Sequence, residues 1–262
     1  MRTERLKFSA ISRNLQAKSA AMLQSIETGL DRLMMGWLLL AGLASAVRIA
    51  TSPVHGPLGI DGLLPYLLLI LAPFASMVLA LRWFADADSQ PQPATRLAMV
   101  GRWRTVTQRD ARFHPLYGTT GLMVSLLIGM LLNVPVRAAE YLAAMPAISG
   151  AVPPWLSTLH MLMTLDVVLL TSLYTIAFVA ALRRVPLFPR LLAAIWLLDI
   201  VMQLAIARFT VAQGGLPPGV GSALHSLLDG NVTKVLISVG LWLPYLLLSR
   251  RVNVTFRSRV PA

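Results

Sequence analysis

Six separate blocks of about 18–25 apolar residues constrain the fold of this chain more than any other feature. A helix of that length crosses roughly 30 Å of hydrocarbon, because each residue adds about 1.5 Å. The expected spans are residues 33–50, 63–84, 118–136, 156–182, 191–212 and 231–249. Only 13% of the 262 residues are charged, about half the share usual in soluble domains. The sequence therefore predicts an all-α, polytopic membrane bundle of six transmembrane helices.

Lysine and arginine residues concentrate in alternate connections between these blocks. Residues 1–32, 85–117, 183–190 and 250–262 hold six, five, three and four of them, and the opposite connections hold only Arg137. Cytoplasmic loops of membrane proteins carry such an excess, so both termini are expected in the cytoplasm. These orienting residues also account for the net charge of +12. We therefore expect the lipid bilayer as the partner, and no nucleic acid.

The connections also divide the chain into segments. They are an amphipathic N-terminal segment (1–32), a first transmembrane hairpin (33–84), a basic loop (85–117), a four-helix domain (118–257) and a tail (258–262). Two apolar stripes at helical spacing lie in the polar segments: Ile11, Leu15, Met22, Ile26 and Leu30, then Leu97, Val100, Trp103 and Thr107. Each stripe predicts an amphipathic helix, either at the lipid headgroups or packed on the protein.

The last apolar block ends in an uncommon motif. It reads Trp242-Leu243-Pro244-Tyr245, followed by Ser249-Arg250-Arg251-Val252 and Thr255-Phe256. This ending, together with an apolar span at 121–135 and a basic turn at 183–190, resembles the bacterial DUF2569 family over about residues 118–257. The family consists of small inner-membrane proteins with four spans and no assigned function. The resemblance implies a location in the bacterial inner membrane and no chemistry, and this chain departs from the family by its extra hairpin.

The same motif has a direct physical interpretation as an interfacial anchor. Trp242 and Tyr245 are amphipathic aromatic residues that suit the interface between hydrocarbon and water. Pro244 bends the helix where it leaves the bilayer. Arg250 and Arg251 then meet lipid phosphates. We interpret these five residues as an anchor rather than as a binding site.

Two aspartates lie deep inside the predicted spans. Asp166 is some ten residues from the outer end of its span, and Asp199 some nine residues from the inner end of the next. These depths of about 15 and 13.5 Å place both carboxyl groups near the bilayer midplane. Gln203 lies one turn from Asp199 on the same face. Because two like charges there cannot both ionise cheaply, at least one carboxyl is expected to hold a proton.

Two interpretations of this pair remain open. An intramembrane carboxyl pair can act as a proton or cation relay. It can equally form hydrogen bonds between helices that hold the bundle together. A relay needs a polar path, and the residues that flank both aspartates are apolar.

Further ionisable residues collect near the outer face. They are Arg48, Arg137, Glu140, His160, Arg208, Asp229 and Lys234. Such a set can bind an anionic headgroup or small anion, or it can consist of loosely paired charges that reach water. No histidine spacing typical of a metal site is present, and only His160 lies near a span, so we expect neither a metal nor a haem.

The sequence contains no nucleotide loop, metal motif, nucleophile elbow or redox ligand set. The leading hypothesis is therefore a non-enzymatic inner-membrane protein, free-standing or an accessory subunit that binds other membrane proteins. The alternative is a transporter of a small solute or ion, coupled to protons through the midplane carboxyls. A third hypothesis is a lipid-modifying enzyme that uses His160 with Glu140 or Asp229.

Overall fold

The computed structural model describes residues 16–53, 59–87, 90–94, 100–150 and 152–262. Most of these residues are helical. The helices are α1 (16–28), α2 (Leu30–Thr51), α3 (Ile60–Trp83), α4 (Gln108–Arg112), α5 (Leu122–Ala144), α6 (Pro154–Leu182), α7 (Phe188–Ala212), α8 (Pro218–Leu248) and α9 (Arg250–Arg257). Two short strands, β1 (Trp103–Thr105) and β2 (Arg259–Pro261), pair in antiparallel orientation.

Six helices are long and apolar enough to cross a membrane: α2, α3, α5, α6, α7 and α8. The predicted fold class and the number of spans are confirmed. Two predicted boundaries were wrong. Helix α5 continues to Ala144: Arg137, taken as a loop residue, has its partners inside the bundle, and Glu140 pairs with the exposed Lys234 at its edge. Helix α8 begins at Pro218, since proline suits the first turn of a helix even in a polar stretch.

The spanning helices pack around α6, which contacts α3, α5 and α7. Of the 18 most apolar consecutive residues of α6, 67% are buried inside the protein, whereas in α2 and α8 the corresponding share is 11%. Leu39, Leu40 and Leu43 of α2 point outward. Leucines exposed in this way are stable only against lipid or another apolar surface, so this chain is a multi-pass membrane protein.

Three polar segments meet at one end of the bundle. The strand pairing places Arg104 of the basic loop opposite Val260 of the C-terminal tail. The backbone N–H of Gly121 donates a 2.9 Å hydrogen bond to the hydroxyl of Ser19 in α1. The N-terminal helix, the basic loop and the C-terminus therefore share one end. That arrangement requires an even number of spans between them, as the charge pattern predicted.

The basic loop differs from its predicted helix. Trp103 lies in β1, where the backbone groups of the chain pair with β2, and the helix begins only after Thr107. The Thr107 hydroxyl caps α4 by accepting the N–H of Asp110 at 3.1 Å. Leu97 lies outside the described residues. An apolar stripe was thus mistaken for helical periodicity in a segment that forms a strand.

Helix α1 packs on the protein, which is one of the two alternatives that its sequence left open. Leu23 is buried and Ile26 packs against the core, whereas Met22, predicted on the buried face, is 51% exposed. Ile11 and Leu15 lie outside the described residues.

The C-terminal residues form part of the bundle end instead of a separate tail. The pairing of β1 with β2 crosses the predicted boundary at residue 257. In α9, the buried Arg257 donates a 3.1 Å hydrogen bond to Oδ1 of Asn253. Burial lowers the pKa of Arg257 to about 10, with further contributions from the neighbouring charges of Arg259 and Arg190. Positive charge is therefore concentrated at this end.

Helix α6 ends in a Schellman motif at the same end of the bundle. The N–H of Val185 donates to the carbonyl of Ala180 at 2.8 Å, and that of Arg184 donates to Ala181 at 3.1 Å. Arg184 has a φ of 60°, in the left-handed region that this motif usually fills with glycine.

Candidate functional site: a buried ion-pair network

The candidate site is built around one arginine that bridges two aspartates. Nη1 of Arg137 in α5 lies 2.9 Å from Oδ2 of Asp166 in α6, and Nη2 lies 2.6 Å from Oδ2 of Asp199 in α7. The three side chains are 12%, 6% and 0% exposed. Three charged groups from three helices therefore meet in the interior.

Neutral polar side chains surround this triad. The Tyr174 hydroxyl donates to Oδ2 of Asp199 at 3.1 Å, and Nε2 of Gln203 donates to Oδ1 of Asp166 at 3.0 Å. Asn231 in α8 donates to Oε1 of Gln203 at 3.2 Å. Oδ1 of Asp199 is buried and accepts no hydrogen bond from the residues that the structure describes. The network thus joins four helices and leaves one buried carboxylate oxygen unused.

The network continues to one edge of the bundle. Lys234 forms an ion pair with Glu140 and lies 3.4 Å from Oδ1 of Asn231. The Lys234 and Glu140 side chains are 58% and 34% exposed. A cavity of about 50 Å³ lies between this pair and Arg137 of the triad, and its walls include Asn133, Arg137, Glu140, Tyr174, Asn231 and Lys234. A water molecule needs only about 10–15 Å³ of such a cavity, so this one can hold water.

Apolar side chains close the network on the opposite side. Between Tyr174 and the turn that follows α6, the helix buries Phe178 completely. Phe188 and Leu192 of α7 are also fully buried there. The triad is therefore walled by apolar side chains toward the end of α6, and its polar neighbours continue toward Lys234.

The meeting of Asp166, Asp199 and Gln203 agrees with their depth in the sequence. The guanidinium of Arg137 was not expected between them, because it was assigned to the outer face. One signal was present: the residues after Arg137 remain mostly apolar (Ala-Ala-Glu-Tyr-Leu-Ala-Ala), which is typical of a helix that continues. Tyr174 and Asn231 were missed entirely.

The predicted outer-face cluster does not form one site. Arg137, Glu140 and Lys234 belong to the buried network and its exposed edge. Nε of Arg48 donates to the carbonyl of Met145 at 3.0 Å. The remaining members are separate: Asp229 pairs with His225 at 3.4 Å, Arg208 is exposed, and the buried His160 lies with its ring 6.4 Å from that of Tyr141. The carboxylates that the enzyme hypothesis required pair elsewhere, Glu140 with Lys234 and Asp229 with His225, and Nε2 of His160 has no hydrogen-bond partner among the described residues.

The five residues of the predicted anchor lie where α8 meets α9. Trp242 and Tyr245 contact each other edge to face at 6.0 Å, and α8 continues through Pro244 to Leu248. Arg250 is exposed. Nη1 of Arg251, in contrast, donates to the Thr120 hydroxyl at 2.8 Å. Arg251 therefore ties α9 to the start of α5 and is not directed only at lipid.

No protein-family model matches this chain, and comparisons with curated proteins and with solved structures also gave no match. Within the described ranges, no group of three or more histidine, aspartate or glutamate side chains is arranged to hold a metal ion.

Proposed function

We propose that this chain is a proton-coupled transporter of a small solute or ion in the bacterial inner membrane, with both termini in the cytoplasm. Arg137, Asp166 and Asp199 form its coupling site. The observation that carries the proposal is the polar route from the exposed Lys234–Glu140 pair to the fully buried Asp199. A route of this kind is what a relay needs and what a purely apolar interface would lack.

The exposure of the charged side chains falls steadily along this route. It decreases from 58% at Lys234 and 34% at Glu140 to 12%, 6% and 0% at Arg137, Asp166 and Asp199. A cavity large enough for water extends along the outer part of this route, from Lys234 and Glu140 to Arg137. The route therefore reaches the surface of the bundle at the Lys234–Glu140 pair, as expected for one state of a transporter whose site is reached from alternate sides.

The charge of the triad suggests how coupling works. One guanidinium and two carboxylates carry a net charge of −1, so the triad attracts a proton or another single positive charge. With a proton bound the triad is neutral, and a neutral group is much cheaper to enclose in an apolar interior than a charged one. The unused Oδ1 of Asp199 is an acceptor available for that proton. Proton binding then favours the closed arrangement and proton release the open one.

The bacterial location and the orientation of the termini rest on two sequence features. They are the resemblance of residues 118–257 to the DUF2569 family and the basic residues of alternate loops. The family contributes no activity, so the proposed chemistry depends on the network alone.

The test is proton flux in liposomes that contain the purified protein. The liposomes are loaded with the small-solute fraction of a bacterial extract, and a potassium gradient with valinomycin drives proton movement that an internal dye reports. We expect flux above that of protein-free liposomes. Asp199→Asn should abolish the flux, and Asp229→Asn, which removes an exposed carboxylate of α8 outside the network, should retain it. Equal flux in the two variants, or none in the unmodified protein, contradicts the proposal.

A second function, that of a non-enzymatic accessory subunit, is favoured by the lightly buried helices α2 and α8. Their most apolar windows are 11% buried, which leaves broad apolar faces for another membrane protein. In this case the triad acts only to hold the helices together. Purification from native membranes in mild detergent distinguishes the two functions. A stoichiometric membrane partner together with an absence of flux supports the subunit.

A further inference from the structure

A second polar cavity lies at the end of the bundle where α1, α2, α3 and α6 meet. Its volume is about 310 Å³, larger than that of the cavity beside the triad. Its walls are formed by Glu27, Leu30, Ala85, Ala87, Leu182, Arg183 and Arg184. We call it the arginine cavity. It contributes nothing to the route from Lys234 to Asp199, so a ligand bound in it would be independent of the proposed function.

Arg184 occupies a backbone position that disfavours a side chain. Its φ of 60° is left-handed, and the Schellman motif that ends α6 normally has glycine at this position. Only glycine adopts such a conformation without steric strain. An arginine that persists in a glycine position is a reason to look for what its side chain does.

The guanidinium of Arg184 is held in place but makes no hydrogen bond to the described residues. It lies over the ring of Tyr117, with Cζ 5.5 Å from the ring centroid. Its Nε is buried without an acceptor. The carboxylate of Glu27, on the cavity wall, forms no ion pair with Arg183 or Arg184. The contact with the ring therefore orients the fork of donors, and no acceptor among the described residues satisfies it.

We propose that the arginine cavity binds a phosphate group. The phosphate belongs either to a lipid headgroup of net negative charge or to a soluble phosphate. Arginine binds phosphate with paired N–H donors in a fixed plane, and an aromatic ring beneath the guanidinium keeps that plane oriented. Among the described residues of the wall, Arg183 and Arg184 together outweigh one carboxylate, that of Glu27. Leu30 and Leu182 in the same wall suit the apolar part of a lipid.

The test measures the thermal unfolding of the full-length protein in neutral detergent. We expect phosphatidylglycerol to raise the unfolding midpoint by several degrees, because a ligand that binds only the folded state stabilises it. The net-neutral phosphatidylcholine should raise it much less. Inorganic phosphate, compared with chloride at equal ionic strength, tests the soluble source. A shift with phosphatidylglycerol alone identifies a lipid, and a shift with inorganic phosphate as well identifies a site open to soluble phosphate.

Arg184→Gly is the informative variant, because glycine fits the left-handed backbone. Its midpoint without added lipid should equal or exceed that of the unmodified protein, and its response to phosphatidylglycerol should be lost. Arg250→Gln removes an exposed arginine near the same end and should keep the response. Tyr117→Leu leaves the charge but removes the stacking, and should weaken the response.

Three results would overturn the proposal. They are the absence of any shift with either phosphate source, an equal shift with both lipids, and a shift that survives in Arg184→Gly. A general folding defect would lower the midpoint of Arg184→Gly in the absence of lipid, whereas we expect that midpoint to be unchanged or higher. A folding defect therefore cannot imitate the predicted result.

Discussion

Replacing Arg137 by glutamine should destabilise the protein strongly. The change removes the contacts of 2.9 and 2.6 Å to Asp166 and Asp199. Among the described residues, the fully buried Asp199 then keeps the hydrogen bond from Tyr174 alone, and Asp166 the one from Gln203 alone. Removing one partner of a buried ion pair costs about 3–5 kcal/mol, because the remaining charge is left uncompensated.

The Lys234–Glu140 pair provides a matched control in the same network. Its side chains are 58% and 34% exposed, and exposed ion pairs contribute only about 0–1 kcal/mol. Lys234→Gln should therefore change the free energy of unfolding by less than about 1 kcal/mol. The assay is unfolding of the purified protein by sodium dodecyl sulfate in mixed micelles, followed by tryptophan fluorescence.

A triple variant separates stability from function. Arg137→Met combined with Asp166→Leu and Asp199→Leu replaces all three charges by apolar groups of similar size. Such replacements are often neutral or stabilising, so most of the lost stability should return while proton flux stays absent. If Arg137→Gln costs no more than Lys234→Gln, the guanidinium does not compensate the two carboxylates, and the reasoning about the triad fails.

Three further outcomes are expected. A reporter active only in the cytoplasm should be on when fused after Arg104 and off when fused after Gly150; the reverse result would invert the proposed orientation. Deleting β2 should lower the free energy of unfolding by about 1–3 kcal/mol, since backbone hydrogen bonds to β1 are lost, and an unchanged thermal midpoint would contradict the role of the strand pair. Tyr174→Phe removes a hydrogen bond to the charged Asp199 and should cost about 1.5–3 kcal/mol in the same detergent titration; no change would place this hydroxyl outside the network.

The helices could be predicted because length and hydropathy alone decide whether a segment can cross a bilayer. The depth of Asp166 and Asp199 followed from counting residues inward from the ends of their spans. Arg137 could not be placed in the same way. A span predicted from hydropathy ends at its first strongly charged residue, which here is Arg137. The sequence does not show that Arg137 has partners on two other helices.

Other features depend on contacts between residues far apart in the chain. Asn231 joins the network only because α8 packs beside α7, and no local pattern indicates that neighbour. Strands of three residues such as β1 and β2 are too short to show an alternating pattern. The left-handed backbone of Arg184 was also unexpected, because an arginine at the end of a helix is usually explained by the helix dipole.

The pairing of β1 with β2 has a consequence for biosynthesis. The ribosome completes residue 105 long before residue 259, and the roughly 150 residues between them take about 8–30 s to synthesise at common rates. During that time β1 has no partner strand while four helices enter the membrane. Its shortness and the exposed Arg104 are features that discourage pairing with foreign strands. Residues 259–261 therefore complete a structure that the basic loop began.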